Sequence, residues 1–248
     1  VGEFDSCLNL VAEARKYGRI DAVVHSAGIT RPACSILDMP VEEWENVIKV
    51  NLTGAFFLAK ACIPPMLEAG QGAMVLFSSR AAKTGFAALG SNGAKTKAHY
   101  CASKAGVISL VKSLAMELAP YGIRVNGVAP GPVQGTMIPK ESWPVIAEKV
   151  PLNRLGTPEE MAEGAWFLCS PQAAFITGHI LDINGGLAAR RSEGAQATLQ
   201  NGFRSAPASS EQPTLRLHAK RAVPSSFDLG AALPICGSIY PFLRSKDK

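Results

Sequence analysis

Four short apolar runs, separated by helix-length segments, constrain this chain more than any other feature. They are Ala22-Val23-Val24-His25, Ala73-Met74-Val75-Leu76-Phe77, the stretch from Ile123 to Ala129, and His179-Ile180-Leu181-Asp182-Ile183. Strands that run in one direction need a crossover of a dozen or more residues, usually a helix. Strands buried on both faces read as near-continuous apolar runs rather than as alternating ones. The expected fold is therefore α/β, a doubly wound parallel sheet with helices on both faces.

The segments between the runs supply those helices. A helix is expected from Asp5 to Tyr17, with Asp5 as its cap, Leu8 and Val11 on its apolar face and Gly18 as its stop. Ser26-Ala27-Gly28 reads as a tight turn. A second helix runs from near Pro40 to about Leu67; Glu42, Glu43 and Glu45 suit its positive end, and Pro64-Pro65 should disturb its last part. A loop of twenty residues leads from Ser79 to a helix that opens at Tyr100 and ends near Leu118. That helix is apolar on nearly all sides, with Val107, Ile108, Leu110, Val111, Leu114, Met116 and Leu118. Such a helix is expected to pack on the sheet and on a second subunit, making a homo-oligomer. From Gln134 to Leu155 only a short helix near Pro144–Lys149 is expected. Thr157-Pro158-Glu159-Glu160 is a capping box, and its helix carries Met161, Ala165, Trp166 and Leu168.

Composition narrows the function. The six cysteines, Cys7, Cys34, Cys62, Cys101, Cys169 and Cys236, form no C-x-x-C pair and do not cluster with histidines. Neither a metal site nor a disulfide framework is expected, and reduced thiols in a cytoplasmic setting fit better. No apolar run reaches the ~18 residues of a membrane span, and the first residues carry no secretory pattern. Residues 188–248 carry nine of the 25 basic residues and four of the 20 acidic ones, so the rest of the chain is balanced. The body thus offers no electrostatic case for nucleic acid.

The chemistry gathers at Tyr100 and Lys104. Residues four apart on a helix share a face, so phenol and ammonium can enter one cleft. A nearby cation favours phenolate, so Lys104 is expected to lower the Tyr100 pKa and make it a general acid/base. The spacing alone is common; its flanks decide. Asn51 lies in Val50-Asn51-Leu52-Thr53-Gly54, Ser79 ends an apolar run, and Pro130-Gly131 follows the next. Arg154-Leu155-Gly156-Thr157-Pro158-Glu159-Glu160 and Phe175-Ile176-Thr177-Gly178 come after.

In that order, across residues 1–187, these motifs resemble the short-chain dehydrogenase/reductase family, and most closely its 3-oxoacyl-carrier-protein reductase-like and sugar-alcohol dehydrogenase-like members. The resemblance implies a Rossmann-like sheet and hydride transfer between NAD or NADP and a small secondary alcohol or ketone. It implies that Tyr100 moves the proton, and that Lys104 tunes Tyr100 and holds the nicotinamide ribose. Ser79 would bond the carbonyl oxygen, and Asn51 would hold a helix kink and a relay water. Ala27, Gly28, Pro130, Gly131 and Val133 would line the cofactor, joined by Thr136 although its spacing is one residue long.

The chain also departs from that pattern. It carries no T-G-x-x-x-G-x-G loop, so the expectation is a partial Rossmann-like sheet, the family's second half only, with Val1-Gly2 ending the third strand. Residues 188–248 are rich in Ser, Ala, Pro and Arg and read as an irregular, fused or frame-shifted tail. A non-catalytic fragment that keeps Asn51, Ser79, Tyr100 and Lys104 without holding cofactor is therefore the alternative reading. His25-Ser26 replaces the family's Asn-Asn, and His25 reads as a buried, hydrogen-bonded residue. Cys101 reads as packing, and Trp143 as either a lid anchor or a substrate contact. The long loop before Tyr100 brings Lys83, Lys95, Lys97 and His99 towards the substrate mouth, where they could meet an anionic substrate.

Overall fold

The computed structural model describes residues 1–86 and 95–188. The expected tail lies outside them, apart from Ala188. Helix α1 (Phe4–Arg15) leads to strand β1 (Ala22–His25). Then come α2 (Val41–Ile48), a π-helical turn (Lys49–Thr53) and α3 (Gly54–Ala69). Strand β2 (Gly72–Phe77) and a one-turn helix α4 (Ala81–Thr84) follow, then α5 (Ala98–Leu118) and β3 (Ile123–Pro130). The last elements are α6 (Trp143–Ala147), α7 (Pro158–Cys169) and β4 (Ile180–Ile183).

The four strands pair in parallel in the order β1-β2-β3-β4, as the apolar runs predicted. Val24 faces Val75 across the first pair, Val75 faces Asn126 across the second, and Val128 faces Leu181 across the third. Alternate side chains serve opposite faces. Met74, Leu76, Val125 and Ala129 join the core that α1, α3 and α5 cover, while Val75 and Val128 meet Ala165 and Leu168 of α7. Two crossovers use one face and the third uses the other, although the strand order never reverses. The third crossover therefore has the opposite hand from the first two, a departure from the usual rule. The outer edge of β1 has no strand partner among the described residues.

Several sequence expectations need correction. Asp5 does not cap α1; the N-cap is Glu3, and the helix buries Cys7 and Val11 while Leu8 is exposed. Pro64 and Pro65 do not break α3, which runs on to Ala69 and closes at left-handed Gly70 (φ 65°). Both prolines sit within a helix whose Leu58, Ala61, Cys62 and Met66 are buried, and that packing outweighs the missing amide bonds. The irregularity falls earlier, at the π-turn. Trp166 points outward, 73% exposed, and Met116, 82% exposed, lies off the stripe that α5 buries, on the side left for the expected second subunit. For α5 that stripe is Val107, Val111, Leu114 and Leu118. The run Val41–Ala69 is long and apolar enough to cross a membrane by length and composition, although charged residues such as Lys49 and Lys60 interrupt its apolar stretches. In this fold, much of it packs into the core beneath the sheet.

The expected capping box is present at α7. The Thr157 hydroxyl accepts from the Glu160 amide, and the Glu160 carboxylate accepts from the Thr157 amide. Arg154 pairs with the same carboxylate and, with the Thr157 amide, holds its pKa down at about 2.

Candidate active site

The C-terminal ends of β1, β2 and β3 and the first turns of α5 surround one polar cluster. Asn51, in the π-turn, is fully buried. Its Oδ1 accepts from the Ile29 amide at 2.7 Å, and its Nδ2 donates to the Ile29 carbonyl at 2.9 Å and to Ser103 Oγ at 3.0 Å. The extra residue of a π-turn swings this side chain inward, towards the loop after β1. Ser103 Oγ donates in turn to the Tyr100 carbonyl at 2.8 Å. The π-turn is thus tied through Ser103 to the turn that presents Tyr100.

Lys104 is buried, 4% exposed, and its Nζ donates to the Phe77 carbonyl at 2.8 Å. Its own carbonyl accepts from Ser78 Oγ at 2.8 Å, which fastens α5 to the end of β2. Burial without a counter-charge pushes Lys104 down to about 8. The expected depression of Tyr100 does not appear. Burial raises its pKa, while the Ser79 hydroxyl, within bonding reach of the phenol, pulls the other way. Lys104 is not the counterweight, because its ammonium is turned to Phe77. Ser79 Oγ also accepts from the Ala81 amide at 3.2 Å, which starts α4.

Gly28 packs its backbone closely against this cluster: a Cβ there would lie 3.2 Å from Lys104 Nζ and 3.3 Å from Asn51 Oδ1, tighter than an ordinary contact. Ala27 is exposed on the same loop. Pro130 and Gly131 close β3, but the space at Gly131 is taken by Asn184, whose Cα would be 2.8 Å from a Cβ. Val133 bridges to Gly156, and Thr136 stands exposed further along. Asn51, Ser79, Tyr100, Lys104 and Gly28 are therefore brought together, while Val133 and Thr136 sit on the segment leading away. A cavity of about 440 Å³ lies elsewhere, lined by Pro132, Leu152, Met161 and Asn184 among others, and includes none of the four polar residues.

The neighbouring residues differ from expectation. His25 is buried, but its Nε2 has no partner among the described residues; burial and the nearby Lys104 push it down to about 4. His99 is fully buried rather than at the mouth, and its Nδ1 accepts the Tyr100 amide at 2.8 Å. Lys83 is drawn off to Asp182 at 2.7 Å. Lys97 stays at the mouth, bonded to Thr30 Oγ1 at 3.1 Å, and Lys95 is exposed. The Trp143 indole serves its own segment, donating to the Ile138 carbonyl at 3.0 Å. Sequence reasoning missed Ser78, Ser103 and Ile29. Ser103 lies inside the Tyr100–Lys104 spacing, and Ser78 stands beside Ser79 in the same Ser-Ser pair.

Comparison with known proteins identifies the family and the fold. Residues 1–188 match the family model described as enoyl-(acyl carrier protein) reductase. The 3-oxoacyl-[acyl-carrier-protein] reductase FabG of Thermotoga maritima is 40% identical over 176 residues, 70% of this chain and 68% of that protein. Its counterpart in Vibrio cholerae is 39% identical over 181 residues, 72% and 70% of the two chains. The solved structure of ElxO with NADP bound superposes with a TM-score of 0.70 at 29% identity, covering 76% of each chain. The crystal structure of gox2181 gives 0.68 at 31% identity, over 76% of this chain and 74% of that one.

Proposed function

Because the chain belongs to the short-chain dehydrogenase/reductase family, we propose that it reduces a ketone, or oxidises the matching secondary alcohol, at Tyr100 with a nicotinamide cofactor. The observation that carries this reading is the convergence of Ser79, Tyr100 and Lys104 on one polar cluster.

The residues present fit the nicotinamide end of such a cofactor. Lys104 Nζ spends one of its three donors on Phe77 among the described residues, and Gly28, without a side chain, lets the backbone come close to it. Those free donors suit ribose hydroxyls, with Ala27 on the loop after β1 and Pro130 at the end of β3 offered to the same group; Val133 and Thr136 lie further along the segment that leads away. The bound cofactor supplies the hydride that goes to the carbonyl carbon. Tyr100 gives its phenolic proton to the carbonyl oxygen, so the ketone becomes an alcohol and the phenolate is then reprotonated from solvent. Ser79 donates to the same oxygen as negative charge develops there. Asn51 and Ser103 keep Tyr100 at its station. The relatives' names point to a 3-oxoacyl thioester as the first ketone to test.

The test uses the full chain. Titration with NADH and NADPH, read by nicotinamide fluorescence, should show micromolar binding of one of them. Loss of reduced-cofactor absorbance with an acetoacetyl thioester should then stop in Tyr100→Phe. The edge of β1, which no strand covers among the described residues, favours a second reading, a chain that keeps the site without holding cofactor. Absence of binding to either cofactor would establish that reading and overturn the first.

A further inference from the structure

Two cations near the Tyr100 turn have no carboxylate partner among the described residues. Arg80 follows Ser79 directly, and its backbone amide is fixed to the Pro130 carbonyl at 2.9 Å. Its guanidinium is steadied by Thr84 Oγ1 at 2.8 Å. Lys97 precedes Tyr100 by one turn. Its ammonium is held by Thr30 Oγ1 and lies 5.2 Å from the centre of the Phe86 ring. Both are half-buried, and both are close enough to Cys101 to interact with it electrostatically. The Phe86 backbone amide faces the same sulfur. The three groups thus surround Cys101, the residue that follows Tyr100.

Neither cation has a carboxylate partner among the described residues, whereas Arg15, Lys49, Lys83 and Arg154 each have one. Residues 87–94, which connect Phe86 to Lys95, contain no Asp or Glu. Cys101 is not the missing anion, because burial raises its pKa and keeps it a thiol at neutral pH. Half-buried cations held in place without an anion carry a desolvation cost that a bound oxyanion would relieve.

We propose that Arg80 and Lys97 form an anion subsite beside Tyr100, which takes a carboxylate or phosphate carried by the ketone substrate. The assignment to substrate rests on the oxidoreductase reading above; the subsite itself does not. It makes the preferred substrate an oxo acid, or a phosphorylated ketone, rather than a neutral one. Arg80 adjoins Ser79 and Lys97 lies one turn before Tyr100, so a substrate held by both would bring its carbonyl towards that pair.

Charge-selective alkylation of Cys101 in the full chain tests the subsite without hydride transfer. Cys101 is partly exposed, so peptide mapping can follow its reaction with anionic iodoacetate and neutral iodoacetamide. The iodoacetate-to-iodoacetamide rate ratio at Cys101 should exceed that of free cysteine by about tenfold, as expected for a charge-assisted contact. Inorganic phosphate should slow both reagents, and Arg80→Gln with Lys97→Gln should return the ratio to that of free cysteine. A wild-type ratio equal to that of free cysteine overturns the subsite, whatever the variants do. If neither reagent reaches Cys101, steady-state kinetics decide. The KM for acetoacetate relative to its methyl ester should rise about tenfold in the double variant, and an unchanged ratio overturns the proposal. A chain that shows the alkylation preference but turns over neither ketone keeps the subsite and loses the oxidoreductase reading. Phosphate that competes while acetoacetate does not assigns the site to a phosphorylated substrate.

Discussion

Asn51 Nδ2 donates to Ser103 Oγ at 3.0 Å, and this contact joins a π-turn to the helix that carries Tyr100 across fifty-two positions of sequence. The same amide satisfies both backbone groups of Ile29. Asn51→Ala therefore strands two backbone groups in a buried setting and removes the anchor of Ser103. The expected loss is about 2–4 kcal/mol of stability, read by urea denaturation. Ser103→Ala keeps the Ile29 pair and should lose only about 1 kcal/mol. If the two variants were equally unstable, the Ile29 contacts would carry nothing.

Gly28 offers a cleaner probe of the cluster. Its backbone needs no left-handed conformation, so Gly28→Ala acts through space alone: the new methyl meets Lys104 Nζ and Asn51 Oδ1. Stability should fall by less than about 1 kcal/mol, because the neighbours must yield by only tenths of an ångström. Cofactor affinity should drop at least about tenfold, since the displaced ammonium is the group offered to the ribose. Fluorescence titration beside a thermal melt separates the two effects. Unchanged affinity would take Gly28 and Lys104 out of the cofactor site.

The sequence made some of this legible and not the rest, and the dividing line is distance along the chain. The capping box at Thr157–Glu160 closes within three residues, so its letters suffice. The Tyr100–Lys104 spacing is equally local. The π-turn is not: it is held by Asn51 reaching Ile29, twenty-two positions away, and no propensity marks it. The Lys104 ammonium turns to Phe77, which arrives from another strand, so helix spacing could not show that its charge is spent away from the phenol. Trp166 and Met116 fit an apolar pattern but face outward, because a pattern gives a stripe's period and not its partner.

His25 ties stability to pH. Its pKa falls from an ordinary 6.5 to about 4 in the fold, so between those values the unfolded chain binds a proton that the folded chain refuses. Stability should therefore decline as pH falls through this window, by about 3 kcal/mol in all, and be level above it. His25→Asn removes the titrating group and should flatten that part of the profile. Denaturant melts at intervals between pH 7 and 4 check it. An equally steep decline in the variant would assign the loss to other groups.

Ser79 and Tyr100 should reveal themselves together in the pH dependence of turnover. Burial raises the phenol and the Ser79 hydroxyl lowers it, so Ser79→Ala removes the lowering influence and moves the Tyr100 pKa further up. Alcohol oxidation needs the phenolate, and its rate should climb with pH along a limb that Ser79→Ala shifts to higher pH. Ketone reduction needs the phenol and should stay level through neutral pH in both proteins. Lys104, at about 8, adds a second step in the same region as its ammonium is lost. Lys104→Met should remove that step while leaving the Ser79-dependent shift in place. Variant and wild-type oxidation limbs that coincide would show that Ser79 does not act on the phenol, and its place in the proton transfer would be lost.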